Sequence, residues 1–88
     1  RDISYLIKDS SKIGLLQDTI FEFKNSILKE IFIFDYYLNK KTNEIKMGFR
    51  FIFQSHESTL TVEEVDNVLN DIMSKTLKIG SIEIPGIQ

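Results

Sequence analysis

Apolar and polar positions alternate with period two over Leu28–Leu38 and again over Ile45–Ser55, and the period lengthens to helical spacing on either side of this pair. On the second stretch Ile45, Met47, Phe49, Phe51 and Phe53 fall on one side, with Lys46, Gly48, Arg50, Ile52 and Gln54 on the other. On the first, strict alternation groups Leu28, Phe32, Phe34, Tyr36 and Leu38 opposite Lys29, Ile31, Ile33, Asp35, Tyr37 and Asn39. The polar segment Asn39–Glu44 joins the two, which predicts a β-hairpin with one face toward a core. When the two apolar sides coincide, Asp35, Tyr37, Lys46, Arg50 and Gln54 share the less covered face, together with Ile31, Ile33 and Ile52.

The flanking segments supply the rest of a small sheet. Arg1–Ile7 alternates Ile3, Tyr5 and Ile7 against Asp2, Ser4 and Leu6, a half-buried strand that ends in the turn-prone Lys8–Ser11. Ile13, Leu16, Ile20, Phe23 and Ile27 then recur at helical spacing, predicting a helix capped by Ser10 or Ser11. Its end is expected near Asn25 and Ser26, with Asn25 taking the left-handed turn. Thr61 with Glu64 forms a capping-box pattern, and Leu60 and Val65 occupy the staple positions around it. Val65, Val68, Leu69, Ile72 and Met73, with Thr76 or Leu77, carry a buried stripe to near Lys78, where Gly80 is the expected stop. Ile82 and Ile84 alternate in a last short strand closed by Pro85. The order β, α, β, β, α, β predicts an α+β, ferredoxin-like split βαβ domain. Right-handed crossovers give a four-stranded antiparallel sheet of order 4-1-3-2, with both helices on one face and the mixed face left free.

Composition narrows the function classes. Eighty-eight residues, 42% hydrophobic and 27% charged, make one soluble domain with a single core. No apolar run approaches the roughly 20 residues of a membrane span. Opening on Arg1 with no initiator Met, residues 1–88 read as one domain cut from a longer protein. The absence of Cys excludes disulfides and thiolate metal sites, and the single histidine, His56, lies in a polar loop without metal-binding partners. A net charge of −2 argues against nucleic-acid binding through overall charge and leaves only a local basic patch for that role.

Four motifs stand in order from Arg1 to about Gly80: Arg1-Asp2-Ile3-Ser4; Phe34-Asp35-Tyr36-Tyr37; Phe49-Arg50-Phe51 with Phe53-Gln54-Ser55; and Thr59-Leu60-Thr61 followed by Glu63-Glu64-Val65. Together they resemble the ferredoxin-fold anticodon-binding domain at the C-terminus of phenylalanyl-tRNA synthetase, more the bacterial-type β subunit than the single-chain organellar enzyme. The resemblance implies that Asp35 and Tyr37 lie near the first anticodon base, a guanine in phenylalanine tRNA. An aromatic face supports a splayed base, and a carboxylate accepts from the N1–H and exocyclic amine of guanine. Lys46, Arg50, Lys40 and Lys41 complete the implied RNA-binding set. Where the family usually has a Gly and a Lys pair, this chain reads Asn43-Glu44-Ile45-Lys46, which shifts the loop's phosphate contact to Lys40 or Lys41; the tail Ile82–Gln88 also departs from common bacterial endings.

The resemblance further implies a noncatalytic, tRNA anticodon-stem-loop-binding part of phenylalanine-tRNA ligase, which attaches phenylalanine to its tRNA at the expense of ATP. No catalytic residue and no cofactor are expected in this domain, ATP and Mg being bound elsewhere in the parent. The implied partners are the tRNA and, through the rest of the chain, an α subunit in a heterotetramer of two α and two β subunits; the implied location is cytoplasmic, with no membrane partner.

Each residue also has a plainer reading. Tyr37 fits strand-end packing, Arg50 and Asp35 fit a cross-strand ion pair, and Lys40 and Lys41 fit the solvation of a loop tip. The alternative function is a small ferredoxin-like regulatory, ligand-binding or protein-interaction domain of another enzyme, which calls for a Gly-rich turn and dimerising edge strands. A hydrolase like acylphosphatase calls for an Arg-bearing phosphate loop after the first strand, and Lys8–Lys12 contains neither Arg nor Gly.

Overall fold

A computed structural model of the chain describes residues 1–86. Strand β1 spans Asp2–Ile7 and leads through a single 3-10 turn, Ser10–Lys12, into helix α1, Ile13–Phe21. Strands β2, Leu28–Leu38, and β3, Ile45–Phe53, form the hairpin, followed by helix α2, Val62–Leu77, and the two-residue strand β4, Ile82–Glu83. The sheet order is β2-β3-β1-β4 with all neighbours antiparallel, the arrangement that the alternation of periods predicts.

One core holds these elements together. Ile3, Tyr5 and Ile7 of β1 and Ile45, Met47, Phe49 and Phe51 of β3 are buried beneath Leu16 and Ile20 of α1 and Val65, Val68, Leu69 and Ile72 of α2. Both helices therefore cover the same side of the sheet. At its centre the Phe49 ring meets Tyr5 and Phe21 edge-on, each at 5.7 Å between centroids, the geometry that the aromatic quadrupole favours. The α2 start forms as its sequence dictates: the Thr61 hydroxyl accepts from the Glu64 amide at 3.1 Å, and Glu64 Oε2 accepts from the Thr61 amide at 3.3 Å. Gly80 at φ 87° and Ser81 at φ 60° turn the chain from α2 into β4; the left-handed Ser81 has no counterpart in the sequence expectation.

Three expectations need correcting. Asp9, not Ser10 or Ser11, caps the first turn, its carboxylate accepting from the Ser11 amide at 3.0 Å and the Ser11 hydroxyl at 2.7 Å. Helix α1 ends at Phe21 rather than near Asn25. Phe23 and Ile27 still pack against the core, but from a turn in which Asn25 Oδ1 accepts from the Ile27 amide at 3.1 Å. A side chain that bonds its neighbours' backbone competes with the helix. The left-handed non-glycine residues among those described are Asn43 and Ser81, so Asn25 is not one of them.

The third correction concerns β2. Its pairing with β3 slips between Leu28 and Glu30 and again between Ile33 and Asp35, and each slip exchanges the two faces. Ile31 and Ile33, expected on the free face, sit opposite Phe51 and Phe49 on the core side, while Phe32, expected in the core, faces outward opposite Arg50. Phe34 also moves to the free face, its ring reaching across Gly48. The second slip restores the original parity, so Tyr36 and Leu38 return to the core side and Asp35 and Tyr37 to the free face. Part of the Ile82–Gln88 tail, residues 87 and 88, lies outside the described residues.

Candidate nucleic-acid interface

The side of the sheet away from the helices is built mainly by three strands, with Glu83 of β4 beside Leu6 at its edge. β2 contributes Phe32, Phe34, Asp35 and Tyr37; β3 contributes Lys46, Gly48, Arg50 and Ile52; and β1 contributes Asp2, Ser4 and Leu6. Tyr37 is 61% exposed, opposite Lys46 in register. Asp35 lies one step back along the strand, half-buried and opposite Gly48, and forms no ion pair among the described residues. An exposed ring beside a carboxylate not engaged by a cation can stack a base and accept from its edge.

The tip of the hairpin carries the basic side chains. Asn39 Oδ1 accepts from the Lys41 and Thr42 amides at 3.0 and 3.4 Å, the Asn39 amide donates to the Glu44 carbonyl at 2.8 Å, and Asn43 turns left-handed at φ 63°. This side chain–backbone network holds a six-residue loop without glycine and leaves Lys40 and Lys41 exposed. Tyr37, Leu38, Asn39, Lys40 and Lys41 together line a shallow hollow. The structure thus brings Tyr37, Lys40 and Lys41 to one place, with Lys46 across from the ring and Asp35 behind it.

Arg50 stands apart from this group. Its Nε and Nη2 donate to Asp2 Oδ1 and Oδ2 at 2.8 and 3.0 Å, and its guanidinium lies 4.7 Å from the centroid of the Phe34 ring. The ion pair read from the sequence between Arg50 and Asp35 is therefore formed with Asp2 instead. The hydrogen bonds from Arg50 hold the Asp2 carboxyl below the usual carboxylate range, against the opposing effect of burial. Asp2, Phe34 and Gly48 are the site-face residues that the sequence reading passes over. Parity does put Asp2 and Gly48 on the free face, but their link to Arg50 and Phe34 depends on a register that no single strand reveals. His56 is exposed in its loop, and no cluster of three or more His, Cys, Asp or Glu able to hold a metal occurs among the described residues. No helix among them is long and apolar enough to cross a membrane. On the helix side, between α1 and β2, a second hollow is lined by Phe21, Phe23, Lys24, Leu28, Lys29 and Ile31 among others.

Four antiparallel strands in this order, with two helices on one face and an aromatic and charged open face, define a ferredoxin-like domain. Residues 1–83 match the ferredoxin-fold anticodon binding domain family, and the chain belongs to it. It is similar to the chloroplastic phenylalanine--tRNA ligase beta subunit of Porphyra purpurea, 31% identical over 86 residues that cover 96% of this chain and 12% of that protein. It is similar as well to the phenylalanine--tRNA ligase beta subunit of Nitrosospira multiformis, 32% identical over 76 residues, 84% of this chain and 10% of that protein. The chloroplastic beta subunit of Gracilaria tenuistipitata var. liui is 28% identical over 79 residues, 85% of this chain and 11% of that protein. The chain thus spans only about a tenth of the length of these relatives.

Proposed function

We propose that the open face binds the anticodon stem-loop of a phenylalanine tRNA and that the chain serves as the RNA-reading part of a phenylalanine-tRNA ligase beta subunit. One observation carries this reading: the exposed Tyr37 ring shares a face with the carboxylate of Asp35, with Lys46 opposite and Lys40 and Lys41 at the adjoining tip. In this reading the first anticodon base stacks on Tyr37, Asp35 accepts from the N1–H and amine of guanine, and the lysines meet phosphates. Arg50 belongs to the same surface. The domain supports an ATP-dependent attachment of phenylalanine carried out elsewhere in the parent, where ATP, Mg and an α subunit would be bound in a two-α, two-β assembly. A cytoplasmic location belongs to the same proposal, in keeping with the bacterial relative, whereas other relatives are named chloroplastic.

The test is equilibrium binding of the chain to anticodon stem-loop oligonucleotides that differ only at the first anticodon base. Asp35→Asn keeps the shape and removes the charge, and is expected to reduce the preference for guanine over adenine by about 1–3 kcal/mol, the scale of one base contact. Overall affinity is expected to hold or rise, because a negative charge near phosphates is gone. An equal loss of affinity for every stem-loop would assign Asp35 to holding the hairpin and remove its base-reading role.

A further inference from the structure

The face that Asp35 and Tyr37 occupy is decided at one point in β2. After the first slip, odd-numbered residues of β2 point to the core, as Ile31 opposite Phe51 and Ile33 opposite Phe49 show. Continued without interruption, that register would turn Asp35 and Tyr37 toward the helices and present Tyr36 and Leu38 to the open face. The slip between Ile33 and Asp35 prevents this by making Phe34 the extra residue of a bulge.

What holds the bulge is a chain of contacts across three strands. A Cβ at position 48 would lie 2.8 and 2.9 Å from Cε1 and Cζ of Phe34 and 3.2 Å from Cβ of Asp35, so the Phe34 ring fills space that exists only because residue 48 has no side chain. The Arg50 guanidinium lies against the same ring at 4.7 Å, an attraction between cation and aromatic face. Both oxygens of Asp2 fix the guanidinium from β1.

We propose that Gly48, Phe34 and the Asp2–Arg50 pair are positioning residues that lock β2 in its bulged register and thereby aim Asp35 at the RNA base. Asp2 also neutralises Arg50, so the guanidinium acts by holding Phe34 more than by attracting phosphate. This rests on the anticodon-binding reading above and concerns a different set of residues.

The experiment compares stem-loops carrying guanine or adenine at the first anticodon position, using the chain with Gly48→Ala, with Gly48→Ala plus Phe34→Leu, with Asp2→Asn, and with Asp35→Asn alongside. Gly48→Ala is expected to lower the guanine preference by about fivefold or more, the lower end of one base contact. The double variant should regain part of it, since leucine lacks the two ring atoms that the new methyl meets. Asp2→Asn separates positioning from general support: the preference falls while overall affinity and its salt dependence rise, because the arginine charge is freed toward phosphates. A merely structural role would lower affinity for both stem-loops together and leave their ratio alone. Should Gly48→Ala not fold, Asp2→Asn decides. An unchanged guanine preference in a folded Gly48→Ala or in Asp2→Asn, beside a lowered one in Asp35→Asn, overturns the positioning role alone; an unchanged preference in Asp35→Asn as well overturns the anticodon reading itself.

Discussion

Tyr5 shows how one polar atom is accommodated in a core of this size. The residue is fully buried, and its hydroxyl lies 3.1 Å from Thr76 Oγ1. The Thr76 proton is directed to the Ile72 and Met73 carbonyls at 3.0 and 3.1 Å, which leaves Tyr5 as the donor between the two hydroxyls. Burial pushes the phenol up to about 12 from its ordinary 10.0. Because the folded value is raised, the stability it contributes is complete below pH 10 and is lost as pH climbs from 10 to about 12. The loss should amount to about 3 kcal/mol, and Tyr5→Phe should remove most of it. Urea unfolding at a series of alkaline pH values measures this; an identical alkaline loss in Tyr5→Phe would place its origin at another group. Alternation marked Tyr5 as a core residue, but not its partner, because Thr76 lies 71 positions away and reaches it only once α2 packs on the sheet.

At the scale of elements, what could be read in the sequence was what is encoded locally. The start of α2 depends on Thr61, Glu64, Leu60 and Val65, all within six residues, and it forms as read. Thr61→Ala is expected to cost about 1 kcal/mol, seen as a lower denaturant midpoint with unchanged slope; a change below a few tenths would show the cap to be dispensable. The end of α1 was not readable from spacing, because Phe23 and Ile27 satisfy a helical period and pack on the core while Asn25 bends the backbone between them. The faces of β2 were legible only at their two ends. The second slip lies where the Phe34 ring crosses the missing side chain of Gly48, and a pattern read along β2 alone contains no trace of that. Asp35 and Tyr37 were placed on the open face because the two slips cancel, whereas Phe32 and Phe34 lie between them and were assigned to the wrong side.

The whole molecule separates packing from recognition. The helices and the core occupy one side of the sheet, and the hairpin carries Phe32, Phe34, Tyr37, Asp35 and the basic tip on the other side and end. With a net charge of −2, attraction for a polyanion has to be local, and in the proposed reading Lys40, Lys41 and Lys46 at one end of the hairpin supply it. The fold was legible from the order of periods; the open face as a site came from the motif set, since an exposed Tyr and Asp on a strand have many uses. The central claim is that this face is where RNA docks. Its most direct test is to titrate the isotopically labelled chain with a phenylalanine anticodon stem-loop and follow every backbone amide by NMR. The account predicts that the amides of Asp35, Tyr37, Lys40, Lys41 and Lys46 shift together and saturably, while those of α1 and α2 stay in place; shifts centred instead on the hollow lined by Phe21, Phe23, Lys24 and Lys29 would contradict it.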